Sequence, residues 1–553
     1  MGIIQMDNQT QPVSKELTNQ EKMARGSAWM TASNIISRLL GAVYIIPWYA
    51  WMGEYGKTAN GLMNMGYNVY ALFLLVSTAG IPAAIAKQVA HYNSLNEYQT
   101  SRQLFIRALQ MMAILGVVFA GLMYIGSPWL ANASGGGKDL IPTMQALSIA
   151  VLVFPCMSVI RGYFQGNQEM MPFALSQIVE QVARVFYMLL TVFIIMKLGK
   201  GDYVAAVTQS TLAAFVGMLA GFAVLLYFLQ KQKVKMDVFV ERSSKELNVA
   251  TKDLLIETVK EAIPFIIVGS GVTIFKLVDQ MTFVKAMENA TSYSHEHLIE
   301  LFSIFSANPD KLTMVVIALA TSIAMAGLPL ITEAATIKDH IGLAKLTNNN
   351  IQLFAFVMFP ATFGMMLLAY PLNTLFYSPD SLGTKLLIQA CIAGLLLGLY
   401  MLASNMLQGM YQNTAAITYL AIGFVVKLIL QYPMIRLLEV YGPLTATMIG
   451  FGVSCFLIVR KIHQVTRFNI SLTARRTLLI FIMTMLMVIA AGIARFIFGL
   501  VLNTDSKFQS FILIILVAAV GGATYGYLAL KSRLADKLLG NRVGDLRRKL
   551  KIK

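Results

Sequence analysis

The chain has 553 residues, 57% of them hydrophobic and only 13% charged, with mean hydropathy +0.65 and a formal net charge of +17. Soluble globular proteins carry about 25% charged residues, so the composition excludes that class. Apolar runs of the about 20 residues that cross a bilayer follow one another along almost the whole length, which predicts an all-α polytopic membrane protein.

In chain order, residues 1–25 are polar and lack a signal-peptide core. Met6 stands where a myristoylation motif needs Ser or Thr. Fourteen spans follow, near 26–52, 64–89, 103–126, 141–165, 172–197, 203–230, 258–287, 311–337, 347–370, 384–409, 413–436, 443–463, 476–502 and 508–531. Lys and Arg fall on alternating sides. One set of loops holds Lys22 and Arg25, Lys87 and Arg102, Lys231, Lys233 and Lys235, then Arg460, Lys461 and Arg467. The other holds mostly single lysines such as Lys57, Lys138 and Lys507. The positive-inside rule makes the first set cytoplasmic, with both termini inside. The net charge is thereby explained by topology and anionic lipid headgroups, and nucleic acid is not expected as a partner. The tail 532–553 spaces Leu534, Leu538, Leu546 and Leu550 among cations, as in an amphipathic helix on the inner leaflet or a solvated extension.

Several spans carry charge or small polar residues. A charge at the bilayer centre costs roughly 2.5–3.5 kcal/mol on insertion scales, so such residues face protein or water. The first span holds Asn34, Arg38 and Gly41 on one face, and no acid accompanies Arg38 in its helix. The fifth carries Glu180 and Arg184 four residues apart, an anion site or an intrahelical ion pair. The seventh places Gly269, Thr273, Lys276 and Gln280 at 4–3–4 spacing, with Asp279 beside them. The eleventh holds Lys427. Expected substrate-binding residues are therefore Arg38, Lys276, Arg184, Lys427, Asn34 and Gln280. Glu180, Asp279 and Glu333 are candidates for ion pairs or a coupling ion. Cations exceed acids in the spans, which favours an anionic cargo, since Arg and Lys both bind phosphate.

An internal repeat is legible. "TAGIPAAIAKQVA" (78–90) resembles "MAGLPLITEAATI" (325–337), with Pro82 and Pro329 offset by 329 − 82 = 247. "YFQGNQ" (163–168) resembles "MLQGMYQ" (406–412), with Gly166 and Gly409 offset by 243. The second offset carries Arg184 onto Lys427. Two parallel six-helix halves with a site between them are the architecture such repeats imply in transporters. The expected organisation is an N-lobe at 26–230, a linker at 231–257, a C-lobe at 258–463 and two further helices at 476–531. Gly80, Pro82, Gly327 and Pro329 are hinge candidates, with ordinary structural kinks as the alternative.

The loops exclude other functions. The longest, 231–257 and 288–310, are too small for a soluble catalytic domain, and no Walker A loop is present. "HEH" at 295–297 is expected to be solvated, and Cys156, Cys391 and Cys455 show no ligand spacing. Neither a metal nor a cofactor is expected, and the chain is not expected to be an enzyme.

"RGYFQGNQEMMPFALSQIVEQVARV", "NIISRLLGAVYIIP" and "TAGIPAAIAKQVA" resemble the polysaccharide-transporter branch of the MOP flippase superfamily, in particular the SpoVB/YtgP group classed with MurJ-type lipid II flippases. The resemblance implies a V-shaped pair of lobes, a cationic central cavity and alternating access. It also implies lipid II, an undecaprenyl-diphosphate-linked precursor, as cargo moved outward for peptidoglycan and cell wall biogenesis. Ser37, Arg38, Leu40 and Gly41 match the "SR-x-LG" unit of that group's first helix. Tyr44 stands where the group has a second arginine, and the second span is apolar around Phe73 where the group has a third. The expected partners are a lipid-linked anionic substrate and membrane lipids, with possible contact with the cell-wall synthesis machinery, around a monomer in the bacterial plasma membrane. Alternatives are a flippase for another undecaprenyl-linked glycan, such as capsule or teichoic precursors, and a MATE-like multidrug antiporter.

Overall fold

A computed structural model of the chain describes residues 29, 32–33, 36–78, 81–241 and 251–539. All regular elements among them are helices, as lipid requires of a chain that must satisfy its backbone polar groups internally. The first span is helical over 36–43 (α1) and Ile45–Met52 (α2), with a turn at Tyr44. Pro47 explains the turn, because it lacks the N–H that would bond the Val43 carbonyl and its ring crowds that carbonyl. The second span comprises α3 (Gly56–Thr78) and α4 (Ile81–Ser94). Then come α5 (Tyr98–Ala133), α6 (Leu140–Gly166), α7 (Met170–Phe193) and α8 (Tyr203–Glu241). The second half runs through α9 (Thr251–Glu288), α10 (His295–Phe302), α11 (Asn308–Thr336), α12 (His340–Leu367) and α13 (Ala369–Phe376). It ends with α14 (Ser381–Gly409), α15 (Asn413–Leu438) and α16 (Gly442–Thr466), followed by α17 (Ile470–Gly499), α18 (Lys507–Lys531) and α19 (Leu534–Leu539).

The repeat is visible in the backbone. Gln168, two residues past Gly166, has φ 60°, and so does Tyr411, two residues past Gly409. Asn96 (φ 60°) and Lys338 (φ 59°) stand in the same relation after α4 and α11. Helix pairing repeats as well: α7 packs on α8 as α15 does on α16, and α6 on α8 as α14 does on α16. The last pair, α17 and α18, packs on itself and against α12 and α13.

Three segments differ from the expected layout. The linker beginning at 231 is helical to Glu241 and again from Thr251, so α8 and α9 extend beyond the bilayer-spanning length. The segment 288–310 is not a plain loop, because apolar residues at helical spacing fold as α10. Leu298, Ile299, Leu301 and Phe302 are buried, and Ile299 meets α3 so closely that a Cβ on Gly61 would lie 2.9 Å from its carbonyl oxygen. In the tail, Leu534 is buried against α17 and α18, and 540–553, with Leu546 and Leu550, lie outside the described residues.

Of the hinge candidates, Gly80 lies outside the described residues, and the side chains of Pro82 and Pro329 likewise. Pro82 falls in the first turn of α4, whereas Pro329 lies inside α11, which runs unbroken through Gly327. Gly327 has a packing reason to be glycine, since a Cβ would lie 2.6 Å from Asn350 Oδ1 of α12.

Candidate functional site

The lobes touch through α3 and α9 and through α4 and α9, and they are hydrogen-bonded at the end opposite the basic loops. Among the described residues, the hydrogen bonds joining them lie in that half. Asn60 Nδ2 donates to Asn308 Oδ1 at 2.7 Å, and Lys311 Nζ donates to Asn60 Oδ1 at 2.8 Å. Gln280, 0% exposed, donates to the Met65 carbonyl (3.1 Å) and Ser134 Oγ (2.8 Å) and accepts from Asn68 Nδ2 (2.9 Å). Lys57 and Asp380 add a looser pair at 3.4 Å. Lys311 forms no ion pair among the described residues; its ammonium lies 5.4 Å from the Tyr44 ring centroid and 5.9 Å from that of Trp48, a cation–π arrangement. Gln280 therefore acts here in closing this end. Lys311 and Asn60 were not singled out from the sequence, although Tyr44 and Trp48 at i,i+4 offered an aromatic face to any cation opposite.

Of the four cations expected at the site, Arg38 has no ion-pair partner among the described residues. The helix α1 rests on α7, with Ser33 donating to Gln177 Oε1 at 3.3 Å and Gly41 facing Gln181. Ile36, Leu39 and Val43 form its exposed apolar stripe. Arg38, also exposed, projects roughly 100–160° around the helix from that stripe at 100° per residue. Arg38 therefore lies off the apolar stripe, on a different face of α1. Asn34, expected on the same face, lies outside the described residues.

The other expected cations are paired. Lys276 bonds Asp310 of α11 at 2.6 Å, with both side chains about a quarter exposed, rather than Asp279 on its own helix. This pair lines a cavity in the second lobe together with Asp279, Ser306, Thr313 and Thr447. Asp279 turns to Lys427 instead, at 2.9 Å. The Lys427 ammonium is 0% exposed and also donates to Thr447 Oγ1 (2.6 Å) and the Phe275 carbonyl (2.8 Å), while Gln431 donates to Asp279 Oδ1 at 2.9 Å. Lys427 thus fastens α15 to α9 and α16 from a closed interior.

In the first lobe, Glu180 bonds Arg161 of α6 at 2.8 Å more closely than Arg184 of its own helix at 3.8 Å. Arg161, like Lys311 and Asn60, was not singled out from the sequence. Its partner lies 19 positions away, and its repeat counterpart at +243 is Ser404, so neither helical spacing nor the repeat marks it. Glu333 is exposed near the end of α11 with no ion pair among the described residues. His295 pairs with Glu288 at 2.8 Å, and His297 with Glu300 at 3.2 Å.

Comparison with known proteins places this geometry in context. Residues 23–335 match the family model described as polysaccharide biosynthesis protein. The chain is 33% identical over 542 residues to the lipid II flippase MurJ of Bacillus subtilis, covering 96% of this chain and 98% of that protein. It is 28% identical over 218 residues to stage V sporulation protein B of the same organism, covering 39% and 41% of the two chains. Among solved structures, it is similar to a lipid II flippase MurJ in an inward closed conformation, with TM-score 0.63, 13% identity and coverage of 92% and 99%. It is also similar to an inward-facing multidrug resistance MATE family transporter of the MOP superfamily, with TM-score 0.60, 15% identity and coverage of 77% and 96%.

Proposed function

The chain belongs to the family of polysaccharide biosynthesis proteins, and from that premise we propose that it is a lipid II flippase, moving the undecaprenyl-diphosphate-linked peptidoglycan precursor from the inner to the outer leaflet. The observation that carries this reading is its end-to-end relation, at 33% identity, to the lipid II flippase MurJ of Bacillus subtilis. It is a transport protein and makes or breaks no covalent bond.

The site chemistry supports the same reading. With the basic loops cytoplasmic, the sealed end faces outward and the space before Arg38 faces inward. A diphosphate headgroup entering from the cytoplasm meets Arg38 first, whose planar fork suits phosphate oxygens. Arg184 and Lys276 lie deeper, each beside a carboxylate that the headgroup can replace. Lys427 and Gln280 support the site from enclosed positions, the first by fixing the second lobe and the second by closing the outer end. Lateral access lets the polyprenyl tail stay in lipid while the headgroup crosses. Opening requires breaking the Asn60–Asn308–Lys311 cluster and the Gln280 bonds, followed by closure behind the cargo.

The test is lipid II exposed on the outer leaflet of cells depleted of their own flippase and supplied with this protein. An external enzyme that cleaves only exposed lipid II reports it. Wild type restores cleavage, and Arg38→Ala and Lys276→Ala do not. Tyr44 in place of an arginine and the apolar stretch around Phe73 favour a second reading, a flippase for another undecaprenyl-linked glycan. An expressed, folded wild type that restores no cleavage would support that reading or reject transport altogether.

A further inference from the structure

Glu180 stands between two arginines that do not share it equally. Its Oε2 accepts from Arg161 Nη2 at 2.8 Å, while Oε1 is 3.8 Å from Arg184 Nη2. Arg161 is also held by Ser176 Oγ at 3.0 Å and lies 5.5 Å from the Phe173 ring centroid, so its partners are in place. Arg184 is less satisfied. Its Nε is buried with no hydrogen-bond partner among the described residues, and the guanidinium lies within electrostatic range of Tyr44, Tyr67 and Tyr70. The Tyr70 hydroxyl is buried and unpartnered too, on a side chain only 4% exposed. The Tyr67 and Tyr70 rings meet edge to face at 5.9 Å, which fixes both on one turn of α3. Most buried polar side-chain atoms have a partner, so two orphaned donors in one neighbourhood call for an acceptor.

The chemistry of that acceptor follows from the donors. A guanidinium and phenol hydroxyls donate to an oxyanion and repel a cation, and the local charge of two arginines against one carboxylate is positive. Rigidity is supplied from behind. Gly217 of α8 packs so closely on α7 that a Cβ would lie 2.6 Å from the Glu180 carbonyl oxygen. Along α7, Arg184 is 14 residues beyond Met170, about 21 Å at 1.5 Å per residue. That is near mid-membrane, deeper than Arg38.

We propose that Arg184, Tyr70 and Tyr67 form an oxyanion subsite in the first lobe, and that Arg161 keeps it open by holding Glu180 away from Arg184. Arg161 is a positioning residue; Arg184 and the Tyr70 hydroxyl make the contact. Resting on the flippase reading, the oxyanion is a phosphate oxygen of the lipid-linked diphosphate after it has left Arg38. Inorganic pyrophosphate offers the same chemistry without the lipid.

The test is equilibrium titration of the purified full-length protein with undecaprenyl diphosphate and, separately, inorganic pyrophosphate. Tyr70→Phe removes only the hydroxyl and is expected to weaken undecaprenyl diphosphate binding about 10-fold or more, the range for a hydrogen bond to a charged group. Arg161→Gln weakens it as well, because Glu180 then turns to Arg184. Arg161→Gln/Glu180→Gln restores wild-type binding, which a purely structural role for Arg161 would not produce. Unchanged binding in Tyr70→Phe, or a double variant no better than Arg161→Gln, overturns the subsite. Loss in Arg38→Ala with wild-type binding in Tyr70→Phe and Arg184→Gln rejects the subsite and leaves the flippase reading standing. Binding of pyrophosphate alone rejects the lipid as its source, and binding of neither probe rejects both readings.

Discussion

Lys427→Met isolates the energetics of the second lobe. The lysine is 0% exposed, and its ammonium has three acceptors, at 2.6, 2.8 and 2.9 Å. Truncating it leaves the Asp279 carboxylate with only Gln431 at 2.9 Å and Thr447 at 3.2 Å, and removes a second donor from the Phe275 carbonyl. Removing one partner of a buried ion pair costs about 3–5 kcal/mol, because the other charge remains desolvated. If the second lobe melts as a unit of about 200 residues, each kcal/mol lowers Tm by about 2–4 °C, so the expected fall is about 6–20 °C. The assay is size-exclusion chromatography of detergent-purified protein after heating across a temperature series. Asp279→Asn/Lys427→Met should recover most of the loss, since a buried pair replaced by neutral groups is often close to neutral in stability. A single variant that melts within about 1 °C of wild type would refute the assignment of this pair as the fastener of α9, α15 and α16. A double variant as unstable as the single would refute the electrostatic account. The double variant also tests Asp279 as a coupling group: stable protein that no longer transports would give the carboxylate a second role.

The outer seal, the cargo path and the driving force give further expectations. Cysteines replacing Asn60 and Asn308, whose side chains now bond at 2.7 Å, and joined by a short thiol-cleavable reagent should stop lipid II exposure until a reductant is added. Continued transport by the cross-linked protein would show that this end does not open. Arg38→Lys should retain part of the transport that Arg38→Ala loses, because it keeps the charge but not the fork; equal loss in both would make planar geometry the requirement. Collapsing the membrane potential should slow outward movement, since two negative charges at 100 mV, inside negative, correspond to about 4–5 kcal/mol. An unchanged rate of lipid II exposure would reject that coupling. Gly217→Leu should leave little folded protein on size-exclusion chromatography, because α8 has no room for a Cβ beside the Glu180 carbonyl; a normal profile would contradict the close packing of α7 and α8.

Periodic and repeated features of the sequence translated directly into structure, while pairings across helices did not. Apolar run length gave the spans, and the offset of 243 anticipated both the Gly166/Gly409 helix ends and the matched φ of 60° at Gln168 and Tyr411. Helical spacing suggested Lys276 with Asp279 and Glu180 with Arg184, because one helix face is all that a single sequence reveals. The structure instead joins Lys276 to Asp310 and Asp279 to Lys427, each across two helices. The reason is geometric. A carboxylate inside a lobe takes the cation that can surround it with further donors, and neighbouring helices supply these better than the next turn. The same preference explains why Arg161 was invisible in the sequence: its 2.8 Å bond to Glu180 depends on how α6 lies against α7, which no spacing in the chain encodes. Arg38 is the informative exception. It was singled out because its helix offers no acid, and packing brings it none either among the described residues. An intramembrane cation that neither its own helix nor its packing neutralises is what the proposed anion site requires.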